Sequence, residues 1–286
     1  MPEHNFSRGI EMQNFYLRMK NKLDEAGILG ASFELRELFG FVTGRKNYEI
    51  RLENEFSDEE IVRIEELVDR RIAGEPLQYL LGEWEFMGLP VAVGEGVLIP
   101  RPETELLCEQ GFDFLETRPT RRVLDLCCGT GCIGIAAKKY VAGADVVCVD
   151  KFDAPLAFTA ENAAKNGVSV TVVRGDALLP PSGDLGVFDL ILTNPPYILT
   201  NDLSTLQTEV RHEPREALDG GADGLDFYRA LTEYWLACLR DGGAVMAEIG
   251  IGEKDAVEAL FAAAGLKNVR TVDDYCGIPR VVRGEK

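Results

Sequence analysis

The chain has 286 residues, a length that suits one large domain or two modest ones. Its formal net charge is −18, which argues against a protein that grips nucleic acid broadly through clustered Lys and Arg. The sequence contains neither an apolar run of the roughly 20 residues that span a bilayer nor an apolar signal core at its N-terminus, so we expect a cytoplasmic protein.

The seven cysteines are odd in number and scattered, which favours reduced thiols over a disulfide framework. Three of them fall in the segment CCGTGC at 127–132. This segment has no second Cys or His pair at zinc spacing, and the chain contains only two histidines. We therefore predict no metal site.

Residues 1–82 are predicted to form a small helical bundle, because apolar residues recur at three- and four-residue spacing. One helix has clear boundary signals. Ser57 and Glu60 form a capping box at its start, and Gly74 stands where a C-cap glycine belongs. Residues 83–104 combine alternating apolar residues with Gly and Pro, which predicts a β-hairpin linker.

From residue 105 to residue 286, strand-like apolar runs alternate with helical segments, which predicts a parallel, doubly wound sheet. The predicted strands read RRVLDLC, DVVCVD, VTVVRGD, FDLILTN, GAVMAEIG and NVRTVDD. The expected fold class is therefore α/β, with a doubly wound, Rossmann-like sheet, a small N-terminal helical-bundle domain and a β-hairpin linker between them.

The first predicted strand runs into the loop GTGCIG at 129–134, which satisfies the pattern G-x-G-x-x-G. A second strand ends about twenty residues later in Asp150, where an acid can accept hydrogen bonds from both hydroxyls of a ribose. These features fit NAD and S-adenosylmethionine alike. Asp125 favours S-adenosylmethionine, since a carboxylate beside the loop suits a cationic ligand and would repel a pyrophosphate. Asp176, after the third strand, suits the exocyclic amine of adenine.

The fourth predicted strand ends in Asn194-Pro195-Pro196-Tyr197, an unusual end for a buried strand. Two consecutive prolines remove two backbone N–H donors and leave only carbonyls. A planar –NH2 group offers two donors, which the Asn194 side-chain oxygen and the Pro195 carbonyl can accept, while Tyr197 supplies a flat wall. The motif alone does not distinguish the amine of adenine from the amide of glutamine.

In their order and spacing, these segments resemble the release factor glutamine methyltransferase family (HemK/PrmC type) of class I S-adenosylmethionine-dependent methyltransferases. The resemblance covers nearly the whole chain and includes GEPLQYLLGEWEFMGLPVAV at 74–93, VLIPRPETELL at 97–107, NPPYI at 194–198 and EVRHEPREALDGGADGLDFY at 209–228. It implies methyl transfer to the side-chain amide nitrogen (N5) of the glutamine in the Gly-Gly-Gln loop of peptide-chain release factors. S-adenosylhomocysteine is the implied product, and the N-terminal helices are implied to help dock the release factor.

The resemblance and the residue chemistry together give the expected site. Catalytic and substrate-binding roles are expected for Asn194, Pro195, Pro196 and Tyr197, with Arg101 and Glu105 as further substrate-binding candidates. The expected cofactor-binding residues are Thr104, Asp125, Cys127, Cys128, Gly129, Thr130, Gly131, Asp150, Lys151, Asp176, Ala177 and Asn194. Two positions depart from the family pattern. Cys127 takes the first position of the usual glycine-rich loop. Ala177 replaces an aromatic that packs on adenine in some members, so this packing must come from elsewhere, with Phe152 and Leu178 as candidates.

Purely structural roles are the alternative for the charged candidate residues. Arg101 and Glu105 would in that case only brace the hairpin on the core, since charged residues are mostly structural or exposed. Glu209, Arg211 and Glu213 would form a solvated charged segment.

Three further functions stay open: N5-glutamine methylation of a ribosomal protein, N6-adenine methylation of DNA, and a non-catalytic S-adenosylmethionine-binding module. Base flipping in DNA needs a basic groove, which the net charge disfavours. The PRPETE stretch favours the release-factor branch, and Asp150 with the NPPY motif argues against a non-catalytic module. An NAD oxidoreductase would leave Asp125 and NPPY unexplained. We expect a monomer with a release factor as its protein substrate and without direct binding to nucleic acid or membrane.

Overall fold

The computed structural model of the chain describes the backbone of residues 3–45 and 56–286, and the side chains of residues 12–45 and 56–286. These residues divide into two compact units. The first unit contains the residues up to Gly82 together with Thr208–His212, and the second contains Glu83–Gln207 and Glu213–Lys286. Within the described ranges, none of the helices combines the length and the apolar character that crossing a bilayer requires.

The described part of the first unit includes helices α1 (Glu3–Glu25), α2 (Ala31–Thr43), α3 (Asp58–Ile72) and α4 (Leu77–Leu81). Their apolar faces form a core around Phe39, which is 1% exposed. The rings of Phe15, Tyr16 and Phe56 lie 6.0, 5.9 and 5.2 Å from the ring of Phe39, centroid to centroid. The predicted helical bundle is confirmed.

Helix α3 begins and ends as its sequence predicts. The Glu60 amide donates to Ser57 Oγ at 3.2 Å, and the Ser57 amide donates to Glu60 Oε2 at 2.7 Å, which completes the capping box. After the helix, Gly74 adopts φ +100°, and its amide donates to the Arg71 carbonyl at 3.0 Å.

Arg71 is a buried cation in the first unit, with 6% of its surface exposed. Its guanidinium donates to both carboxylate oxygens of Glu34, at 2.6 and 3.2 Å, and to Glu209 Oε1 at 3.0 Å. Two carboxylates therefore share the one buried charge, which satisfies the requirement that buried charges be paired. Glu209 is therefore an ion-pair partner of a buried guanidinium, and its own side chain is still 37% exposed.

The second unit opens with a hairpin of strands β1 (Glu83–Phe86) and β2 (Leu89–Ala92), followed by helix α5 (Pro102–Glu116). Its two turn residues, Met87 and Gly88, have φ angles of 50° and 72°, which is typical of a type I′ turn. The Met87 amide donates to Glu105 Oε1 at 2.6 Å. Glu105 thus braces the hairpin, as the structural alternative for this residue predicts.

The rest of the second unit alternates strands and helices. In chain order these are β3 (Arg122–Leu126), α6 (Cys132–Tyr140), β4 (Asp145–Asp150), α7 (Asp153–Lys165), β5 (Thr171–Arg174), β6 (Phe188–Thr193), α8 (Asp226–Tyr234), β7 (Leu239–Glu248), α9 (Lys254–Ala263), β8 (Lys267–Asp273) and β9 (Pro279–Glu285). Within the described residues the sheet has seven strands in the order β5-β4-β3-β6-β7-β9-β8. The first five are parallel, and β9 is antiparallel to both of its neighbours. The predicted α/β sheet is confirmed, but the sequence prediction omitted β9.

The strand order brings three strand ends together. Leu126, the last residue of β3, pairs with Val149 of β4 on one side and with Thr193 of β6 on the other. Asp150 and Asn194 come directly after these partners in the chain. The connections reverse direction between β3 and β6, and open α/β sheets bind ligands at such a switch point, beyond the carboxyl ends of the strands.

Asn162 on α7 connects the hairpin to the loop after β3. It is fully buried, and its Oδ1 accepts from the Ala92 amide at 2.6 Å. Its Nδ2 donates to the carbonyls of Ala92 and Thr130, both at 3.0 Å. One side-chain amide therefore satisfies three buried backbone groups of two separate segments.

We expect Asn162→Ala to lower the free energy of unfolding by about 2–4 kcal/mol, because the substitution leaves three buried backbone groups without partners. Urea denaturation of the wild type and the variant measures this change. Asn201→Ala, at an exposed position, is the control and is expected to change stability by less than about 0.5 kcal/mol. Equal effects of the two substitutions would contradict the bridging role of Asn162.

Candidate active site

A cavity of about 550 Å³ lies within the second unit, at the carboxyl ends of β3, β4 and β6. Twelve of the predicted site residues line it: Arg101, Thr104, Cys127, Cys128, Gly129, Thr130, Asp150, Lys151, Asp176, Ala177, Asn194 and Pro196. Five predicted residues are not part of its lining: Glu105, Asp125, Gly131, Pro195 and Tyr197. The structure therefore brings most of the predicted site into one cavity.

The loop between β3 and α6 exposes its backbone to the cavity. Cys127, Gly129 and Gly131 all have positive φ angles, of 62°, 54° and 77°. A Cβ on Gly129 would meet no protein atom within 4 Å, whereas a Cβ on Gly131 would lie 2.7 Å from Thr159 Cγ2. Gly129 thus permits close approach of a ligand. Gly131, expected to bind the cofactor, instead permits close packing of α7 on the loop.

Asp150 holds this loop from the end of β4. Its Oδ2 accepts from the Gly129 amide at 3.0 Å, and its Oδ1 accepts from the Phe152 amide at 3.2 Å. Burial raises the pKa of Asp150 above its usual value, and these backbone hydrogen bonds oppose the rise. The carboxylate is therefore fixed at the cavity wall, where each oxygen keeps a further lone pair for a hydroxyl donor.

The cavity wall beyond Asp150 combines one ion pair with apolar surface. Lys151 Nζ lies 2.9 Å from Asp176 Oδ2. The wall also includes Phe152 and Leu178, the two residues predicted to replace the aromatic that Ala177 lacks. A carboxylate that accepts from a ribose diol, next to apolar side chains that pack on a flat ring, fits the nucleoside part of S-adenosylmethionine.

Asp125 does not make the predicted contact with the cavity. Its side chain is fully buried below the loop, where Oδ2 accepts from the Gly134 amide at 2.8 Å. Within the described residues, Oδ1 has no hydrogen-bond partner. Burial raises the pKa of Asp125 to about 7. The carboxylate points to the start of α6 and supports the loop from behind.

Asn194 occupies one end of a hydrogen-bond chain that leads away from the cavity. Its Nδ2 donates to Thr104 Oγ1 at 3.0 Å, and the Thr104 hydroxyl donates to Glu248 Oε2 at 2.6 Å. Glu248 is the last residue of β7 and is 1% exposed, and burial raises its pKa to about 7. Sequence reasoning missed Glu248, although an acid at the end of the apolar run AVMAE was a usable signal.

The backbone of the NPPY motif is held by a second segment. The Ile198 amide donates to the Leu218 carbonyl at 2.9 Å, and the Gly220 amide donates to the Ile198 carbonyl at 2.8 Å. A Cβ on Gly220 would lie 2.6 Å from Tyr197 Cα and 2.9 Å from the Pro196 carbonyl oxygen. Only glycine at position 220 allows the two backbones to pack this closely.

Tyr197 differs from its predicted role as a wall of the cavity. Its hydroxyl points to Glu248 Oε1 at 3.5 Å, and its ring lies against Gly250. Burial, with the nearby Glu248 charge as the second cause, raises the pKa of Tyr197 above its usual value. The ring therefore supports the motif from the side of β7.

Arg101 lines the cavity and is held by a buried acid. Its guanidinium donates to Glu213, whose second carboxylate oxygen accepts from the Ile99 amide at 2.9 Å. Glu213 is 5% exposed, so its interpretation as a solvated residue is wrong. The burial of Glu213 is explained by this ion pair and amide contact.

Residues 16–82 match the family described as PrmC N-terminal domain, and residues 104–221 match the Methyltransferase small domain family. The chain is 42% identical to the release factor glutamine methyltransferase of Geobacter sulfurreducens over 266 residues, which cover 92% of each protein. It is 35% identical to the enzyme of the same name from Clostridium botulinum, with 93% of this chain and 92% of that protein covered.

A likeness in fold alone extends to a solved structure. The crystal structure of the hMettl16 catalytic domain in complex with MAT2A 3'UTR hairpin 6 matches with a TM-score of 0.58 and 16% sequence identity. The match covers 86% of this chain and 92% of that chain.

We expect Asp125→Asn to weaken the pH dependence of stability in the cofactor-free protein. The pKa of Asp125 rises from 3.8 to about 7 on folding, so the native state binds the proton more tightly and stability falls as pH rises from about 4 to 7. Between about pH 5 and pH 8, this one group is expected to lower the free energy of unfolding by about 2–3 kcal/mol.

Urea denaturation at the two pH values measures this difference, with the exposed Asp202→Asn as control. A pH dependence that is the same in Asp125→Asn as in the wild type would show that this carboxyl does not carry the effect.

Proposed function

Because the chain belongs to the release factor glutamine methyltransferase family, we propose that the cavity at the ends of β3, β4 and β6 carries out methyl transfer to the side-chain amide nitrogen of a release-factor glutamine. The observation that carries this proposal is the place of Asn194. It lines the same cavity as Asp150, and its Nδ2 is already bound to Thr104. Its Oδ1 is therefore the atom left to accept a hydrogen bond from the substrate.

S-adenosylmethionine is the methyl donor, and its sulfonium supplies an electrophilic methyl group when it is bound. Asp150 would hold its ribose hydroxyls, and the backbone at Gly129 would allow it to lie close to the loop. Phe152 and Leu178 would pack on its adenine ring, with Asp176 near the exocyclic amine. These residues line the same cavity, which supports their assignment to one ligand.

The substrate nitrogen is a poor nucleophile, because its lone pair is delocalised into the amide carbonyl. The glutamine amide offers two N–H donors. Asn194 Oδ1, on the cavity lining, accepts one of them, and we assign the other to the Pro195 carbonyl, although Pro195 is not among the residues that line the cavity. Two such hydrogen bonds orient the nitrogen and increase its electron density. The two prolines offer no backbone N–H that would compete as a donor.

Catalysis by this arrangement is mainly positioning and exclusion of water. A fixed acceptor pair brings the nitrogen into line with the reacting carbon, and such orientation alone can supply much of a rate enhancement. The proton leaves after transfer from a cationic product, so the transfer step needs no strong general base. Arg101, held by Glu213 at the cavity wall, is placed to contact the substrate peptide.

We also propose which part of the release factor enters the cavity and which part of the protein binds the rest of it. We assign the Gly-Gly-Gln loop of the release factor to the cavity and assign docking of the rest of that protein to the N-terminal helices, residues 1–82. Leu29 and Phe33 of these helices are 93% and 55% exposed, which supports a role in protein contacts.

We assign the hairpin linker to residues 83–104 and the methyltransferase domain to residues 105–286. The net charge of −18 supports action without direct nucleic-acid binding, and we place the protein in the cytoplasm as a monomer.

Transfer of label from S-adenosylmethionine tests the substrate assignment. We expect label on a peptide-chain release factor, none on the same factor with its loop Gln changed to Ala, and none on duplex DNA. Mass spectrometry of the labelled peptide locates the added methyl group. Label on DNA, or equal label on both forms of the release factor, would refute the proposal.

Two substitutions are expected to distinguish a loss of substrate positioning from a loss of cofactor binding. Asn194→Ala is expected to lower kcat by about 100-fold or more while S-adenosylhomocysteine binding changes little, because it removes an acceptor used by the substrate. Asp150→Asn is expected to weaken S-adenosylhomocysteine binding by about 10–100-fold, because it removes a charged acceptor for two hydroxyls.

Single-turnover kinetics and calorimetry measure the two effects. Asp153→Asn, three residues after Asp150 with its side chain 92% exposed, is the matched control and is expected to match the wild type. If Asn194→Ala weakens cofactor binding as strongly as Asp150→Asn does, Asn194 is chiefly a cofactor ligand and the assignment is wrong.

A further inference from the structure

The buried Glu248 carboxylate contacts both ends of the NPPY motif: Asn194 through Thr104, and Tyr197 directly. Glu248 Oε2 accepts from the Thr104 hydroxyl at 2.6 Å, and Glu248 Oε1 lies 3.5 Å from the Tyr197 hydroxyl. Glu248 itself is not part of the cavity lining. Its carboxylate is connected to the cavity by hydrogen bonds through Thr104, which lines it.

Glu248, the buried end of the hydrogen-bonded series Asn194–Thr104–Glu248, sets the direction of both hydrogen bonds. An ionised carboxylate only accepts, so the Thr104 hydroxyl must donate its single proton to Glu248. The Thr104 oxygen can then only accept a hydrogen bond from Asn194. The Asn194 side chain must therefore direct its donor, Nδ2, at Thr104. The geometry agrees, since Asn194 Nδ2 lies 3.0 Å from Thr104 Oγ1. The oxygen of the Asn194 amide is left for the cavity.

We propose that Glu248 is a positioning residue for methyl transfer: as the terminal acceptor it makes Thr104 donate, and this turns Asn194 Oδ1 towards the substrate amide. The inference rests on the proposed role of Asn194. Without a fixed acceptor at the buried end, the Asn194 amide can rotate by half a turn and present Nδ2 instead. Two N–H groups would then face each other, and the substrate amide would lose an acceptor.

The protonation of Glu248 controls this effect. A neutral carboxyl group carries an O–H and can donate to Thr104, so it no longer imposes one direction on the chain. The pKa of Glu248 is raised to about 7, mainly by burial. The charged or titratable groups around it are Glu103, Cys108, Tyr197, Tyr228, Glu253 and Arg280. Activity is therefore expected to rise as pH increases through about 7, as the carboxylate forms.

The test compares single-turnover rates of the full chain with S-adenosylmethionine and a release factor over a range of pH. Glu248→Gln keeps the size of the side chain but can donate or accept. We expect its rate at about pH 8 to fall by about 10–100-fold, with less than about 3-fold change in S-adenosylhomocysteine affinity. The inflection near pH 7 of the wild type is expected to disappear in this variant.

A pair of variants at Thr104 tests the same series of hydrogen bonds without a change at Glu248. Thr104→Val has nearly the same shape but no hydroxyl, and we expect a loss similar to that of Glu248→Gln. Thr104→Ser restores the hydroxyl and is expected to recover most of the rate that the valine variant loses. This pair decides the question even if Glu248→Gln does not fold.

Two controls separate positioning from general effects. Glu258→Gln removes the carboxylate of another threonine–glutamate pair, in which Thr271 Oγ1 donates to Glu258 Oε1 at 2.5 Å outside the cavity lining, and is expected to keep the wild-type rate. Asp125→Asn removes the other buried acid with a pKa of about 7 and is expected to keep the inflection.

Folded Glu248→Gln with the wild-type rate or with the inflection intact would overturn the inference, as would equal rates of the valine and serine variants at Thr104. Failure of the underlying proposal gives a different pattern. If Asn194→Ala keeps its turnover, the role of Asn194 is wrong. If Asn194→Ala loses turnover while Glu248→Gln and Thr104→Val keep theirs, only the role of Glu248 is wrong. Addition of Glu248→Gln to Asn194→Ala is expected to cause no further loss, because both act through one contact.

Discussion

The pairing of β3 with β4 on one side and with β6 on the other is the constraint on which the site depends. Parallel register places the last residues of these strands side by side, and each strand continues into a different functional segment. The glycine loop at 129–134 ends 16 residues before Asp150, and the NPPY motif begins 44 residues after Asp150, so the sheet brings separate segments to one edge. Their polar groups can follow buried strands because the edge of the sheet opens into a cavity.

Buried acids are the second common feature of this site. Asp125 and Glu248 are almost fully buried, and burial favours the neutral form of each. Neither lines the cavity, yet each supports a segment that does: Asp125 the loop, and Glu248 the NPPY motif. An apolar residue of similar size would avoid the cost of burial but could not accept a hydrogen bond.

Much of the fold and of the site could be predicted from the sequence because local patterns encode them. The capping box at Ser57, the glycine loop and NPPY are short segments whose geometry is set by neighbouring residues. The missing parts depend on contacts between distant segments. Gly220 meets Tyr197, Glu213 meets Arg101 more than 100 residues away, and Glu248 meets Thr104. Strand β9 was missed because its few apolar residues, between arginines, give only a weak strand pattern, and it pairs between β7 and β8.

The participation of residues 208–212 in the helical unit makes that unit discontinuous in sequence. A fragment that stops at Gly82 would retain Arg71 and Glu34 but lose Glu209, one of the two partners of a buried guanidinium. Removal of the helices would in turn leave Glu209 without its cation. Gene fusions, truncations and the transfer of the helical unit to another enzyme therefore cannot treat the end of α4 as a clean boundary, and the return segment has to travel with the helices.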